Sequence, residues 1–262
     1  MSDRFDVLGI GNAIVDVFSR TDDAFLAKRG LNKGEMRLTS TEEAETLYAD
    51  MGPGTEMSGG SAANTMAGLA SLGARGAYIG VVHDDQLGKV FSHDLKALGV
   101  HFDTPARAFG EPTARSLILI TPDGERTMNT FLGACVQLTP DDIDADLVAR
   151  ADVTYMEGYL FDPPAAKQAF YKAARLAHEA GNKVSLTLSD SFCVDRYREE
   201  FRAFVRDEVD ILFANEAEIM ALYETDTFEQ ARDAVRQHAP LAALTRSEKG
   251  SVIVAGEATH EV

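Results

Sequence analysis

Two clusters of polar residues in this 262-residue chain have the types and spacing that chemistry needs, and the first lies near the amino terminus. A strand-like run ends in Gly9-Ile10-Gly11-Asn12, and Asp16 follows four residues later. The third glycine of a dinucleotide-binding fingerprint is missing, because Ile14 occupies its position. Since Asp16 lies between two valines, spacing alone favours a solvent-facing carboxylate over one that accepts hydrogen bonds from a buried ligand.

A glycine-rich stretch, Gly59-Gly60-Ser61-Ala62-Ala63-Asn64, precedes a helical run of small residues. Two glycines allow the backbone to approach a ligand closely, and Ser61 can cap the helix. Asn64 offers a donor and an acceptor together, which suits vicinal hydroxyls. An alanine-rich helix packed tightly on a sheet explains the same residues equally well. There is no Walker-type phosphate loop, since Gly88-Lys89 is followed by Val90.

The second polar cluster follows later strands. Asn215 and Glu218 lie three residues apart directly after an apolar run, where open α/β sheets bind ligands. Such a pair can hold water around Mg²⁺ near a phosphate, although simple helix capping is by itself the favoured explanation. A further polar group either borders a nucleotide or forms a hairpin turn: Thr245, Ser247 and Gly250.

The elements that must position these residues alternate between short apolar runs and amphipathic helical stretches. The alternation predicts one α/β domain over residues 1–262, with a mostly parallel sheet and helices on both of its faces. Strands are predicted at 5–10, 77–82, 153–156, 183–188, 210–214 and 241–245. Helices are predicted at 61–72, 87–98, 140–149, 164–180, 195–207, 215–223 and 227–238.

Two inserted segments, at about 14–39 and 110–132, interrupt this alternation with partly polar strands. The second reads as a hairpin around Pro122-Asp123-Gly124-Glu125. Antiparallel strands inserted into an α/β chain often cover an active site, and a mobile cover excludes water during group transfer. We therefore expect a small β lid above the larger sheet.

Composition excludes several classes of protein. The net charge of −17 and a pI of about 4.7 predict repulsion of nucleic acid and of anionic lipid. The sequence has only two cysteines and no zinc-binding spacing. Its amino terminus is polar and lacks the apolar core of a signal peptide, and no apolar run is long enough to span a membrane. We therefore expect a cytoplasmic protein. An anionic substrate would need local positive groups or a metal ion.

In their order along the chain, these segments resemble the PfkB carbohydrate kinase family of ribokinase-like proteins, and in particular its bacterial adenosine kinase and sugar kinase members. The resemblance covers essentially the whole chain, and its specificity comes from the joint order of motifs that are each weak alone. The matching segments are Gly9 to Asp16, Gly59 to Asn64, Ile79 to Gly88, Thr113 to Ala134, Asn215 to Glu218 and Thr245 to Gly250.

The resemblance implies transfer of the γ-phosphoryl group of ATP to a primary hydroxyl of a ribose-bearing substrate. It implies that sugar hydroxyls bind Asp16, aided by Asn12, Gly59, Gly60 and Asn64. It implies that Thr113, Asn129 and Phe131 close over the substrate, with Arg126 near the transferred group. The ATP site would be lined by Asn215, Thr245, Ser247 and Gly250. Glu218 would hold Mg²⁺ through water. A monovalent cation is a further expected cofactor.

One departure concerns catalysis. The second family signature, Asp-Thr-x-Gly-Ala-Gly-Asp, whose last Asp is the expected base, does not occur before the chain stops at Val262. We therefore expect a carboxyl-terminally truncated form that lacks this base. Three hypotheses stay open: an adenosine kinase, a sugar kinase for ribose or another furanose, and a non-catalytic nucleoside- or sugar-binding protein. A homodimer through the lid is also expected from the resemblance.

Overall fold

Thirteen strands in the described part of the chain form two separate sheets. The computed structural model describes residues 4–262, so the first three residues of the polar amino terminus lie outside the described part. The strands are Phe5–Ile10 (β1), Ile14–Arg20 (β2), Met36–Leu38 (β3), Gly54–Gly59 (β4), Gly76–Ile79 (β5), Ala114–Ile120 (β6), Arg126–Phe131 (β7), Ala151–Glu157 (β8), Lys183–Thr187 (β9), Ile211–Asn215 (β10), Leu241–Thr245 (β11), Ser251–Ala255 (β12) and Ala258–Glu261 (β13). The α-helices are Asp23–Lys28 (α1), Thr41–Asp50 (α2), Ser61–Ser71 (α3), Gln86–Ala97 (α4), Ala145–Ala149 (α5), Pro164–Glu179 (α6), Ser191–Glu208 (α7), Glu216–Tyr223 (α8) and Phe228–Val235 (α9).

The larger sheet has the strand order β13-β12-β11-β10-β9-β8-β1-β5. Strands β5, β1, β8, β9, β10 and β11 are parallel, and β12 and β13 add antiparallel pairs at one edge. Because consecutive parallel strands need crossover connections, helices lie on the faces of the sheet. The predicted α/β architecture is confirmed, although the helix predicted over 140–149 is a 3₁₀ turn at Pro140–Asp142 followed by α5.

Helices α5 to α9 share one apolar core with the larger sheet. Helix α6 shows how the sequence produces this packing. Ala166, Phe170, Ala173 and Ala177 recur every three or four residues, so they form one stripe, and all four are fully buried. On the opposite face, α3 packs along β1, β5 and β8. Beyond β8 that face stays partly open, since Phe213 on β10 is 41% exposed.

The smaller sheet has the order β3-β7-β6-β2-β4, and helices α1 and α2 pack on one of its faces. The prediction placed the lid strands in 14–39 and 110–132 and did not include β4, α1 or α2. Strand β4 reads Gly-Thr-Glu-Met-Ser-Gly, which is a loop-like composition that only pairing with β2 makes extended. Helix α2 does carry a sequence signal, because Ser40 and Glu43 form a capping box.

Strand alternation gives the small sheet two different faces. We call the face that carries Asp16 the front face, and the face that packs on α1 and α2 the back face. The row beside Asp16 on the front face, strand by strand, is Leu38, Thr130, Ser116 and Met57. The back face contributes Val15, Val17, Leu117 and Leu119 to a buried cluster that also contains Leu26 and Leu47.

The chain passes between the two sheets at four places, and glycines permit the close approach at two of them. Gly60 has φ +90°, and a Cβ there would lie 2.4 Å from the backbone oxygen of Asn12. Gly133 has φ +46°, and a Cβ there would lie 2.2 Å from the backbone oxygen of Pro112. Side chains at these positions would push the crossings apart. Along residues 4–262, no helix combines the length and the apolar character needed to cross a membrane.

Candidate active site

The carboxyl ends of the parallel strands lie along one edge of the larger sheet, where such sheets bind ligands. Asn12 follows β1, Glu157 ends β8, and both side chains are buried. Asn12 Nδ2 donates a hydrogen bond of 2.8 Å to Glu157 Oε1, and the Asn12 backbone N–H donates another of 3.4 Å to the same oxygen. The two side chains therefore form a fixed pair at this edge.

Glu157 also holds the amino terminus of α3. Its Oε2 accepts hydrogen bonds from Ser61 Oγ at 2.8 Å and from the Ala62 N–H at 2.9 Å. A carboxylate at a helix amino terminus is stabilised by the unpaired N–H groups and by the helix dipole. Burial nevertheless raises the pKa of Glu157, while hydrogen bonds from Ala62, Ser61 and Asn12 act to lower it.

Glu157 was not among the residues that the sequence predicted. It ends the strand Ala-Asp-Val-Thr-Tyr-Met-Glu, with no glycine motif beside it, and its partners lie 95 to 145 residues away in the chain. The sequence offered one signal, a glutamate directly after a predicted apolar strand. In the structure Glu157 is 1% exposed, and such burial is rare unless the carboxylate is fully paired.

The side-chain oxygen of Asn12 is an unused hydrogen-bond acceptor. Asn12 Oδ1 is buried and has no hydrogen-bond partner among residues 4–262. A buried polar atom without a partner costs roughly 1–3 kcal/mol. Because Glu157 takes the Nδ2–H group, Asn12 presents this oxygen and not its amide nitrogen, so the matching ligand group is a donor such as a hydroxyl.

Asp16 supplies a second unused acceptor, on the front face of the small sheet. None of the hydrogen bonds between residues 4–262 involves its half-buried carboxylate. Burial raises the pKa of Asp16 to about 6, and the guanidinium of Arg126 on the same face acts in the opposite direction. A Cβ at Gly59 would lie 2.4 Å from the Asp16 carboxyl carbon, so glycine leaves the space that the carboxylate occupies.

Five of the predicted substrate residues meet at the junction of the two sheets. Gly60 packs against the Asn12 backbone, Gly59 packs against Asp16, and the Asn64 N–H donates 2.9 Å to the Gly60 oxygen. The Asn64 side chain is exposed in the first turn of α3. Ser116 and Thr130, which the sequence did not single out, follow Asp16 on one side in the same row and share a hydrogen bond of 3.0 Å.

Three other predicted lid residues, Thr113, Asn129 and Phe131, lie elsewhere. Thr113 is bonded to Asp85, with its hydroxyl at 2.7 Å and its N–H at 2.8 Å from the two carboxylate oxygens. Asn129 is on the back face, where its Oδ1 accepts 2.7 Å from Arg37 Nε. Phe131 is on the same back face. The structure therefore does not bring Asn129 and Phe131 to the Asp16 face, whereas it does bring Arg126 there.

Asn215 and Glu218 form a reciprocal capping box at the start of α8. Asn215 Oδ1 accepts 2.8 Å from the Glu218 N–H, while Glu218 accepts 2.9 Å from the Asn215 N–H and 2.7 Å from Asn215 Nδ2. The capping explanation thus describes their geometry within the protein. Each Glu218 oxygen retains a lone pair beyond its bond to Asn215, so capping does not exhaust its acceptors.

Thr245 lies beside Asn215, because the two residues are paired in register at the ends of β11 and β10. Ser247 and Gly250 form the turn into β12, with the Gly250 N–H donating 3.2 Å to the Ser247 oxygen. The hairpin turn that the sequence allowed is therefore present. Within it, Arg246 and Lys249 pair with Glu216 at 2.9 and 3.7 Å, which places two cations beside this end of the sheet.

Several carboxylates lie between the Asn12–Asp16 junction and the Asn215–Thr245 end of the sheet. The pKa of Tyr159 is raised to about 12 by burial and then by the carboxylates of Asp190, Glu157 and Glu218. Burial also raises the pKa of Glu218, and Asp190 adds to that effect. Within the described range 4–262, however, no group of three or more His, Cys, Asp or Glu side chains is arranged to hold a metal ion directly.

A family model and solved structures match this chain. The model described as "pfkB family carbohydrate kinase" matches residues 35–262. The structure of adenosine kinase from Sinorhizobium meliloti is 55% identical, with a TM-score of 0.90, and the match covers 99% of this chain and 80% of that one. A probable sugar kinase protein from Rhizobium etli is 54% identical, with a TM-score of 0.91, covering 100% of this chain and 79% of that one.

Curated relatives are more distant and longer. Guanosine-inosine kinase from Escherichia coli (strain K12) is 28% identical over 226 residues, which are 82% of this chain and 52% of that protein. The chain thus spans about half the length of the curated relatives that it matches first.

Proposed function

This chain belongs to the pfkB family of carbohydrate kinases. From that premise, we propose that it acts as an ATP-dependent kinase on the primary hydroxyl of adenosine. The observation that carries this proposal is the pair of unused acceptors, Asn12 Oδ1 and the Asp16 carboxylate, on the two sides of one junction. Two acceptors without partners at one junction match the hydroxyl donors of a ribose ring.

The choice of adenosine is supported by the 55% identity to a protein whose solved structure is called adenosine kinase. The second candidate, a kinase for ribose or another furanose, is supported by the 54% identity to a probable sugar kinase protein. A non-catalytic nucleoside- or sugar-binding protein remains the alternative of another class.

In the proposed reaction, the small sheet acts as a lid and the residues of the junction hold the sugar. Asp16 and Asn12 accept hydrogen bonds from ribose hydroxyls, and this fixes which hydroxyl points toward ATP. Arg126, on the front face with Asp16, brings a positive charge that favours the transferred phosphoryl group. The front face excludes water, which would otherwise compete as the acceptor. We assign no residue of this chain as the base.

ATP binding is assigned in this proposal to the ends of β10 and β11. Asn215, Thr245, Ser247 and Gly250 border the nucleotide, and Glu218 holds Mg²⁺ through water. The free lone pairs of the Glu218 carboxylate can accept hydrogen bonds from metal-bound water, and a cation would offset the repulsion from Asp190. When bound, the metal neutralises phosphate charge. A monovalent cation is part of the same proposal.

The proposal also includes a homodimer that forms through the small sheet. It further includes a cytoplasmic location. The front face of the small sheet exposes apolar side chains that a second copy would bury: Met36, Leu38 and Met57 are 48%, 59% and 46% exposed. The two cysteines are free and buried, as suits a reducing compartment. Sedimentation as a monomer at micromolar concentration would contradict the dimer.

The test is calorimetric binding of adenosine and of ribose to this chain, without ATP. We expect micromolar adenosine binding, and a loss of roughly 100-fold in Asp16→Ala because charge-assisted hydrogen bonds are removed. Glu45→Gln, an exposed carboxylate of α2, is the matched control and should bind as the parent does. Ribose binding without adenosine binding would favour the sugar kinase. Unchanged affinity in Asp16→Ala would overturn the assignment of the site.

A further inference from the structure

Helix α4 is attached to the small sheet at its amino terminus. Asp85 caps this helix, because its Oδ1 accepts 2.8 Å from the Gly88 N–H. The same carboxylate accepts 2.8 Å from the Thr113 N–H and 2.7 Å from the Thr113 hydroxyl. Thr113 is buried and directly precedes β6. One side chain thus joins the start of α4 to the root of strand β6.

A second carboxylate attaches the same helix to another strand. Asp94 Oδ2 accepts 2.9 Å from the backbone N–H of Ser58, which lies on β4. In the small sheet, β6 and β4 are the two neighbours of β2, the strand that carries Asp16. Helix α4 therefore holds the strands on both sides of the substrate-binding strand.

Packing joins the helix to the same unit. Phe91 and Leu95 on α4 are fully buried in the cluster that contains Val15 and Val17 of β2. This cluster is separate from the core that α5 to α9 form with the larger sheet. Helix α4 and the small sheet thus share one apolar core, in addition to the two carboxylate attachments.

The Asp85 attachment remains charged at neutral pH. Burial acts to raise the pKa of Asp85, but hydrogen bonds from Thr113 and Gly88 outweigh burial and lower it below its ordinary value. The bonded carboxylate is therefore the ionised form, and charge-assisted hydrogen bonds are stronger than neutral ones. Asp84, the preceding residue, makes no such attachment. Its side chain is exposed and pairs with Lys89 of α4 at 3.4 Å.

We propose that Asp85 and Asp94 are positioning residues for substrate binding, which act by holding β6 and β4 and thereby fix Asp16 on β2 between them. This inference rests on the proposed function only for the identity of the ligand. The fixed position of Asp16 is a property of the ligand-free protein, so it can be measured separately.

The two attachments call for different substitutions. In Asp85→Asn, the side-chain oxygen still caps Gly88, since asparagine is a good capping residue, but the amide nitrogen faces the Thr113 N–H and cannot accept from it. In Asp94→Ala the acceptor for Ser58 is lost, whereas Asp94→Asn keeps an oxygen and should rescue the attachment. Asp84→Asn is the matched control.

The experiment is a carboxyl ¹³C NMR titration of Asp16 in the ligand-free chain, paired with adenosine calorimetry. We expect the Asp16 midpoint to move from about 6 toward the ordinary value of 3.8 in Asp85→Asn and Asp94→Ala, because a looser strand exposes the carboxylate to water. Adenosine affinity should fall roughly five- to tenfold, as expected for one lost hydrogen bond. Asp94→Asn and Asp84→Asn should match the parent in both readouts.

The titration decides the proposal whether or not adenosine proves to be the ligand. An unmoved Asp16 midpoint in the folded Asp85→Asn and Asp94→Ala variants would overturn it, even if affinity fell, because the residues would then act by another route. A moved midpoint in a chain that binds neither adenosine nor ribose would support the positioning role and contradict the proposed function. If Asp85→Asn does not fold, Asp94→Ala and its asparagine rescue give the decision.

Discussion

Two acids with raised pKa values, the half-buried Asp16 in the small sheet and the buried Glu157 in the larger one, lie on opposite sides of the same junction. Burial is the main cause of the raised pKa for both carboxyl groups. Their hydrogen bonds differ completely. Glu157 accepts four, from Asn12, Ser61 and Ala62, whereas Asp16 accepts none from residues 4–262.

The difference fits a structural role for Glu157 and, under the proposed function, a binding role for Asp16. A buried carboxylate with all its donors in place contributes to stability, because removing it leaves those donors unpaired. A half-buried carboxylate without donors costs stability, and the proposed function explains its presence because a ligand would supply the donors. Raised pKa values alone would rank both acids as site residues, and the hydrogen-bond partners decide between them.

The largest effect should come from Glu157→Ala. Without the carboxylate, the donors of Asn12, Ser61 and Ala62 lose their acceptor, and two of these residues are buried. We expect the free energy of unfolding to fall by about 2–4 kcal/mol, measured by urea denaturation. Glu45→Ala, an exposed acid on α2, controls for the loss of one charge.

This first variant can also break the comparison. If Glu157→Ala kept its stability and lost only adenosine affinity, Glu157 would be a ligand contact and not the support of Asn12 and α3. Glu157→Gln gives a finer measure, because one oxygen remains to accept and the amide nitrogen opposes a donor. Its stability should lie between those of the parent and of the alanine variant.

The second effect, smaller and opposite in sign, should come from Asp16→Asn. The folded pKa of Asp16, about 6, lies above its unfolded value of 3.8, so the folded state binds the proton more tightly. Stability from this group is therefore present below pH 4 and is lost as pH rises through 6. At pH 7.5 the asparagine variant should be more stable by about 1–2 kcal/mol, after allowance for solvent screening of a half-buried group.

Denaturation at two pH values checks this sign. The difference between Asp16→Asn and the parent should be large at pH 7.5 and nearly absent at pH 4. A less stable variant at pH 7.5 would mean that the carboxylate is satisfied within the protein, which would remove the contrast with Glu157.

The sequence predicted one side of this contrast and not the other for a physical reason. Spacing alone favoured a solvent-facing Asp16, and the roles of Asn12, Asp16, Gly59 and Gly60 were predicted from the resemblance of their short, ordered motifs to a family. Glu157 owes its role to partners that the fold brings from distant segments. No local pattern records those partners, and only the charge at the end of an apolar strand hinted at them.

The predicted fold was accurate where periodicity is strong and incomplete in the small sheet. The hairpin of β6 and β7 was predicted, but alternation alone does not say which set of its residues faces the site. That choice follows from packing against α1 and α2, which turn Asn129 and Phe131 to the back face and leave Arg126 in front. Because these helices and β4 were not predicted, the facing residues could not be assigned.

The smallest effect, and the one that sharpens the contrast most, is the pH dependence of ligand affinity. If Asp16 must be ionised to accept hydrogen bonds, affinity for adenosine should be constant above pH 7 and fall by almost tenfold per unit below the pKa of about 6. Lowering the pH from 7.5 to 5 should thus weaken binding by roughly tenfold, measured by calorimetry in matched ionic strength. Asp16→Asn, which has no charge to lose, should bind weakly and without this dependence. An affinity that stays constant down to pH 5 in the parent would mean that the acceptor is already ionised there or is not used, and Asn12 Oδ1 would then be the remaining acceptor at the junction.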